Sequence, residues 1–392
     1  DNTGRLTVWS PGQAAFAFRA KIAEIFDIPE GMVRWITPHV GGGFGNGTSL
    51  RAEPICVALA KKTGRPVKLE YTREEQSSAT ETRHPTIQTA KIGVKKDGTI
   101  TAVQGNLISN GGAYVGQSPG PTNAAVRNVF WLYRCNNRAG KGDIVYTNTP
   151  VSGAFRGFGN PQATWLSEQL VDIVAEKIGM DPMEIRLKNH KRTGDPSWIP
   201  QIPIESCALD ECIKIGAKRI GWKEKKERKE SGVRRRGVGM AIMMHPSGTQ
   251  PALLEHTNAF IKLDEDGSAS LAVSACDMGQ DILGALSQIA AEEMGFRAGD
   301  IHVISGDTDT TMFDAGQRAS RSCYVIGNAV QKAAAEVKQQ VLDRAAKMLG
   351  VSAEELEVKE GQVYAKASPE KGISVADVAR DAIYNFKGEC LQ

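Results

Sequence analysis

One pattern constrains this fold more than any other: a strand, turn, helix and strand unit that occurs twice. In the first copy Leu6–Trp9 is a short β-type run, Pro11-Gly12-Gln13 a turn, Ala14–Asp27 a helix and Val33–Ile36 a returning strand. Pro and Gly punctuate the chain at the turn. Phe18, Ile22, Ile25 and Phe26 fall at helical spacing. In the second copy Ser270–Ser274 is a strand, Met278-Gly279-Gln280 a turn and Asp281–Gly295 a helix. That helix carries Leu283, Leu286, Ile289 and Ala290 on one face, and Ile301–Ile304 follows as a strand before a polar loop, Ser305–Gly316. In both copies a Gly-Gln pair stands where a strand gives way to a helix. A ligand group there meets free helix N–H donors, the positive end of the helix dipole and a neutral amide. The pattern reads either as a duplicated unit with ordinary turns or as two related halves that share a ligand. Glutamine at the same place in both copies favours the shared ligand.

Between these copies lie two glycine-rich loops. Gly41-Gly42-Gly43-Phe44-Gly45-Asn46-Gly47 has five glycines in seven residues. Such a run permits positive φ and leaves backbone amides bare to press against a ligand, anions above all. Thr149–Gln162 mixes glycines with Phe155, Arg156 and Phe158. Arginine offers a rigid fork of donors for oxyanions, and a Phe held between glycines can present a flat face to a planar ligand. The alternative pairs Arg156 with a carboxylate and places Phe158 in the core. Ala319-Ser320-Arg321-Ser322 is a hydroxyl-rich turn before a long helix, where Ser320 and Ser322 either serve a ligand or cap the helix, the commoner use. The first loop fits neither G-x-G-x-x-G nor a P-loop, which sets a nucleotide-dependent enzyme aside.

Composition narrows the class. The 392 residues suffice for two or three domains. With 48 basic and 45 acidic residues the net charge is +3, so no nucleic-acid partner is implied. No apolar run approaches the roughly 18 residues of a membrane span. The seven cysteines show no C-x-x-C and no iron–sulfur spacing, which suggests reduced thiols in the cytoplasm. The six histidines include no pair at metal-ligand spacing, so side-chain nitrogen or sulfur ligands to a metal are not expected. Asp307–Asp314 lacks the glycine and closing glutamate of a calcium loop.

The fold expected is α+β. Residues 1–222 form a first domain, 223–236 a charged linker and 237–392 a second domain. Strands are expected at Val67–Tyr71, Val129–Tyr133, Asp143–Tyr146 and Val238–Met244. A hairpin pairs Thr86–Val94 with Ile100–Ile108 across Asp97-Gly98. Helices are expected at Ala52–Lys62, Ala163–Ile178 with Pro161 in its first turn, and Leu209–Ile220. Asp181 caps a shorter helix that begins at Pro182.

The glycine loop Gly41–Gly45, the run Gly153–Gly159 with Pro161-Gln162, Met278-Gly279-Gln280 and Ala319–Ser322 together resemble the molybdenum-binding subunit of the xanthine dehydrogenase and aldehyde oxidase family. The resemblance covers nearly the whole chain. It implies a molybdopterin cofactor, in bacteria usually the cytosine dinucleotide form, bound between the two related halves. Metal is then held by the pterin dithiolene, and no residue of this chain binds it directly. By resemblance Gln13 sits near an oxygen ligand of molybdenum. Gly42, Gly43 and Phe44 approach the metal and pterin through backbone. Arg156 donates to the cofactor, and Phe158 stacks on the substrate. Gly279, Gln280, Ala319, Ser320 and Ser322 hold the pterin and its phosphates.

The implied reaction hydroxylates an electron-poor carbon, in an N-heteroaromatic compound or an aldehyde, with oxygen from water. Electrons leave to iron–sulfur clusters and FAD on partner subunits. The implied partners are therefore an iron–sulfur subunit, a flavin subunit and the remaining portion of the molybdenum subunit. The family's catalytic glutamate is expected beyond Gln392, which makes the chain a fragment or one half of a split subunit, inactive alone. Three positions depart from the family pattern. Gly47 and Thr48 replace the Lys-Glu of purine-oxidising relatives, which argues against xanthine. Gly157 replaces the cysteine of carbon-monoxide-oxidising relatives. Asp281 follows Gln280 where glycine is usual. The competing reading is a scaffold that keeps the fold without the cofactor; the joint presence of Gln13, Phe44, Arg156 and Gln280 argues against it.

Overall fold

The first repeated unit folds as its periodicity requires. In the computed structural model, which describes residues 3–197, 202–226, 233–249 and 255–384, β1 (Leu6–Trp9) pairs in parallel with β2 (Val33–Ile36). Parallel neighbours need a crossover, and α1 (Ala15–Ile25) supplies it. Phe18 and Ile22 of α1 are buried against Val33 and Trp35, whereas Ile25, expected on the same face, is exposed. The Phe18 and Trp35 rings lie 5.0 Å apart. A side chain at Gly12 would run into the Phe18 ring and come within 3.2 Å of Trp35, so the turn before α1 must be bare. Helix α2 (Glu53–Thr63) follows and ends on left-handed Gly64. The run 67–71, expected as a strand, joins no sheet.

The middle of the chain forms a compact unit of its own, Arg73–Pro246. After α3 (Arg73–Ala79), β3 (Thr86–Val94) and β4 (Ile100–Gly112) make the expected hairpin, and β5 (Arg138–Tyr146) adds in parallel to β4. At the turn Thr99 N donates to Asp97 Oδ1 at 3.0 Å. That bond, followed by the Lys188 ammonium, pulls the Asp97 carboxyl down to about 2. Helices α4 (Pro119–Asn128), α5 (Asn160–Ile178), α6 (Pro182–Asn189), α7 (Leu209–Ile220) and the short α8 (Trp222–Lys226) complete the unit. Pro161 lies in the first turn of α5, and Asp181 caps α6 by accepting from Met183 N.

Three expectations are corrected here. Val129–Tyr133 is a buried turn after α4, not a strand; a short apolar run reads alike in both settings. The run 238–244 joins no ladder. The charged linker begins inside α8, where Trp222 Nε1 and Lys226 Nζ both donate to Asp181, and its residues 227–232 lie outside the described residues.

The second repeated unit reproduces the first. β6 (Ala259–Leu263) pairs antiparallel with β7 (Ala269–Val273), α9 (Ile282–Met294) crosses over, and β8 (Ile301–Ser305) returns parallel to β7. The long α10 (Ser322–Leu349) packs Ile326, Val330 and Ala334 into a core with Leu271, Leu286 and Met294. An antiparallel sheet of β9 (Leu356–Lys359), β10 (Gln362–Ala365) and β11 (Ser368–Ser374) leads to α11 (Val375–Tyr384). Ser352 and Glu355 form the expected capping box.

The compact units do not follow the expected boundary at 222–237. Residues 1–72 form one unit with 247–392. Hydrogen bonds explain this. Thr37 N donates to Gly306 O at 2.7 Å, Thr308 N to Trp35 O at 3.0 Å and Val40 N to Asp277 O at 3.1 Å. Arg34 adds an ion pair to Asp307 at 2.5 Å. The two copies of the repeat are thus bonded to each other, and the intervening 73–246 is set into that unit as an insertion.

Candidate functional site

Gln13 ties the site together. Its backbone N donates to Gly47 O at 2.8 Å and its carbonyl accepts from Gln317 N at 2.7 Å. Its side-chain Nε2 donates to Gln317 O at 2.6 Å, and its Oε1 accepts from Gly45 N at 3.1 Å. At 4 % exposure the amide is buried with its bonds made to backbone on both sides. One side chain therefore clips the glycine loop to the segment that precedes α10. The loop is fitted closely around it. A Cβ on Gly43 would lie 2.5 Å from Gln13 Oε1 and would overlap Met278 Sδ. Gly42, Phe44 and Gly45 all have positive φ, and Phe44 is 54 % exposed. A non-glycine residue held in that region is a strained element of the kind that clusters at functional sites.

The turn of the second copy is built differently. Gly279, at φ +91, has open space where a Cβ would stand. The Gln280 side chain closes its own turn: Oε1 accepts from Met278 N at 2.7 Å and Nε2 donates to Cys276 O at 3.2 Å. Asp281 takes φ +55, a conformation glycine adopts more readily, and its carboxylate caps α9 at Gly284 N. Burial pushes the Cys276 thiol up to about 12. Cys276 is therefore expected to resist iodoacetamide at pH 8 in the folded chain, while exposed Cys212 and Cys323 are alkylated; peptide mass mapping reads the difference.

Ala319 and Ser320, at φ +51 and +52, form a second strained stretch. Neither Ser320 nor Ser322 caps α10: its N-cap is Arg321, which makes no side-chain cap bond. Arg321 is instead a buried anchor, paired with Asp314 at 2.9 Å and Glu255 at 2.6 Å. Ala319 O accepts from Gly248 N at 2.8 Å. Every expected cofactor residue except Arg156 thus lies in the unit formed by 1–72 and 247–392.

Arg156 and Phe158 lie in the other unit, and neither takes the bland role. Among the described residues no carboxylate pairs with the exposed Arg156, and Phe158 is 40 % exposed at φ +43 rather than in the core. The loop is braced from outside the motif. Arg83 donates to Arg156 O at 2.7 Å and stacks its guanidinium 4.4 Å from the Phe155 ring centre. Gly153 N donates to Thr82 O at 2.9 Å. Arg83 and the Glu255–Arg321–Asp314 cluster carried no signal in the sequence, because the links from Arg83 to Arg156 and from Arg321 to Glu255 span 73 and 66 residues.

The arrangement fits a flat, polar, anionic group. The cradle is bare at Gly43 and Gly279, and it has strained backbone at Phe44, Ala319 and Ser320. Buried donors without acceptors occur in it at Gln317 Nε2 and Arg318 Nε. Among the described residues no group of three His, Cys, Asp or Glu could hold a metal ion, so a metal here would need ligands from another group. Among the described residues no helix is long and apolar enough to cross a membrane.

Comparison with known proteins gives this cradle a context. A family model described as a molybdopterin cofactor-binding domain matches residues 1–190, and a second of the same description matches 216–390. The chain is 36% identical over 390 residues to the putative xanthine dehydrogenase molybdenum-binding subunit of Escherichia coli (strain K12), covering 98% of this chain and 52% of that protein. It is 36% identical over 213 residues to the nicotinate dehydrogenase large molybdopterin subunit of Eubacterium barkeri, covering 54% of this chain and 50% of the other. The crystal structure of quinoline 2-oxidoreductase from Pseudomonas putida 86 superposes with a TM-score of 0.86 at 24% identity, over 98% of this chain and 51% of that one, a likeness of fold. The chain spans about half the length of the curated relatives it matches.

Proposed function

Because this chain belongs to the molybdenum-binding subunits of the xanthine dehydrogenase and aldehyde oxidase family, we propose that it is the cofactor cradle of a hydroxylase acting on an N-heteroaromatic compound or an aldehyde. The observation that carries the reading is the clip at Gln13, which bonds the glycine loop of one sequence half to the Gln317 segment of the other. Bound molybdopterin would supply the metal centre at which water-derived oxygen reaches the substrate carbon and from which electrons leave to an iron–sulfur partner. The chain's own residues hold and orient. Gln13, Gly42, Gly43 and Phe44 line one side through amide and backbone groups. Gly279, Gln280, Ala319, Ser320 and Ser322 line the other. Arg156 contributes a charged fork, and the exposed Phe158 ring gives a planar substrate a face to stack on.

The cytosine dinucleotide form, the flavin and iron–sulfur partners, and a base supplied by the remaining portion of the molybdenum subunit belong to the same reading. So does a cytoplasmic setting, supported by the six free cysteines among the described residues. Of the named relatives, the nicotinate dehydrogenase subunit supports the heteroaromatic choice. Gly47 and Thr48, in place of a Lys-Glu pair, weigh against a purine.

The test is molybdenum and iron analysis of the native complex purified with its partner chains. About one molybdenum per copy with iron in several-fold excess supports the hydroxylase. No molybdenum in an intact complex overturns it in favour of a scaffold. Within the working enzyme, Arg156→Ala is expected to lower cofactor content. Phe158→Ala is expected to raise KM about ten-fold, the worth of one stacked aromatic contact, with cofactor content unchanged. Unaltered molybdenum and kinetics in both variants would refute these two roles.

A further inference from the structure

Two adjacent side chains in the cradle have donors that no acceptor among the described residues satisfies. Gln317 is 2 % exposed, and its Nε2 has no acceptor. Its backbone is pinned by Gln13 through two bonds of 2.7 and 2.6 Å, so the residue cannot swing away to find one. Next to it, Arg318 buries its Nε without an acceptor, and among the described residues its guanidinium makes no hydrogen bond or ion pair. The carboxylates within electrostatic range are Asp314 and Glu255. Both are committed to Arg321: Asp314 takes Nη1 through two oxygens at 3.0 and 2.9 Å, and Glu255 takes Nε at 2.6 Å. Each also accepts from a backbone amide, Gly316 N on Asp314 and Thr249 N on Glu255. Burial and the neighbouring Arg321 both work against the charge on Arg318, yet an arginine stays protonated in proteins. Arg318 as a residue is partly exposed, and Nε is the donor it buries; a buried donor with no acceptor is costly. The same cost makes it a strong receptor once an anion arrives, because arginine meets an oxyanion with two parallel bonds.

We propose that Gln317 and Arg318 form an oxyanion receptor beside the cofactor loop, additional to the expected cofactor residues Ala319, Ser320 and Ser322. The oxyanion is either a carboxylate on the substrate or a phosphate of the cofactor; both present a pair of anionic oxygens to the fork. This rests on the cradle reading of the preceding section. A substrate carboxylate would make Arg318 the group that selects acidic over neutral ring compounds.

The experiment uses the complete complex as wild type, Arg318→Ala and Arg318→Lys. Two quantities are read: molybdenum and released pterin per copy, and calorimetric binding of benzoate, its neutral counterpart benzamide, and inorganic phosphate. If the oxyanion is a substrate carboxylate, Arg318→Ala weakens benzoate about ten-fold or more, with benzamide and cofactor content unchanged. If it is a cofactor phosphate, molybdenum and pterin fall together, and the cofactor-free complex loses phosphate binding. Arg318→Lys, which keeps the charge but not the fork, is expected to retain part of either effect and guards against Arg318→Ala failing to fold. Unchanged anion binding and unchanged cofactor content in a folded variant overturn the receptor. So does a wild-type complex that prefers neither benzoate nor phosphate and holds the same cofactor as Arg318→Lys. A wild type that lacks molybdenum yet loses anion binding on Arg318→Ala would sink the hydroxylase reading and leave the receptor standing.

Discussion

Gly43→Ala is expected to empty the cradle of cofactor while leaving the rest of the chain folded. Gly43 does not have the positive φ of Gly42 or Gly45, so alanine meets no backbone penalty there. The effect is steric alone. The new methyl would stand 2.5 Å from Gln13 Oε1 and 2.7 Å from its Cδ, and would overlap Met278 Sδ. Met278 is unbranched and adaptable and can move aside. Gln13 cannot move without breaking its bonds to Gly45 N and Gln317 O. Overpacking of this kind costs about 1–3 kcal/mol. Its consequence for binding is larger, because the displaced residue is the clip that joins both sides of the cradle. Molybdenum and pterin content should fall about ten-fold or more in the assembled complex, since a loss of ~1.4 kcal/mol in affinity is already ten-fold. Thermal unfolding should shift by only a few degrees. Gln13→Ala on the same background removes the clash but also the clip, so it should restore stability without restoring cofactor. A Gly43→Ala complex that holds the wild-type complement of molybdenum would show that the glycine is bare for packing and not for a ligand.

That asymmetry between clip and clash could not be foreseen from the chain alone. The sequence made the duplicated unit legible because each copy is local: a period-two run, a Pro- or Gly-marked turn and a 3.6-residue stripe lie within about 30–40 residues. Both copies folded as read, with the strand at Val33–Ile36 matched in full and the later ones shifted or extended by one residue, to Ala269–Val273 and Ile301–Ser305. What failed was nonlocal. Val129–Tyr133 reads as a strand because apolar runs of that length fit a strand or a buried turn equally well, and here the run closes on itself through Trp131 N to Asn128 O and Tyr133 N to Phe130 O. The boundary drawn at the charge run separates the two family-model matches, whereas the compact units follow hydrogen bonds such as Thr37 N to Gly306 O, which join residues 269 positions apart. For the same reason Gln317 looked unremarkable: its significance comes from Gln13, on the far side of the inserted unit.

The same logic of unsatisfied charge gives the largest stability effect expected, at Arg186. Its side chain is fully buried. It pairs with Glu168 at 2.8 Å and Asp172 at 2.8 Å, and also donates to Pro182 O at 2.9 Å. Glu168 in turn accepts from Tyr133 Oη at 2.5 Å and from Ile242 N at 2.8 Å. The cluster ties α5, α6, the buried turn after α4 and the run 238–244 together, so it replaces the sheet pairing that this run lacks. Burial, and then the Glu168 charge, hold the Tyr133 hydroxyl well above its ordinary range, so it remains a donor throughout the working pH range. Arg186→Ala would strand the Glu168 carboxylate in the core without its counter-ion. Breaking a buried pair on one side costs about 3–5 kcal/mol, which for a unit of this size lowers the unfolding midpoint by roughly 6–20 °C. Removing both charges should cost less than removing one. Arg186→Met combined with Glu168→Gln is therefore expected to recover part of the loss, because the amide still accepts from Ile242 N and the core no longer holds an unpaired ion. Scanning calorimetry of the three proteins decides it. If the double variant is no more stable than Arg186→Ala, the cluster acts through the packing of the arginine stem, and the charge pairing would not be what holds the run 238–244 in place.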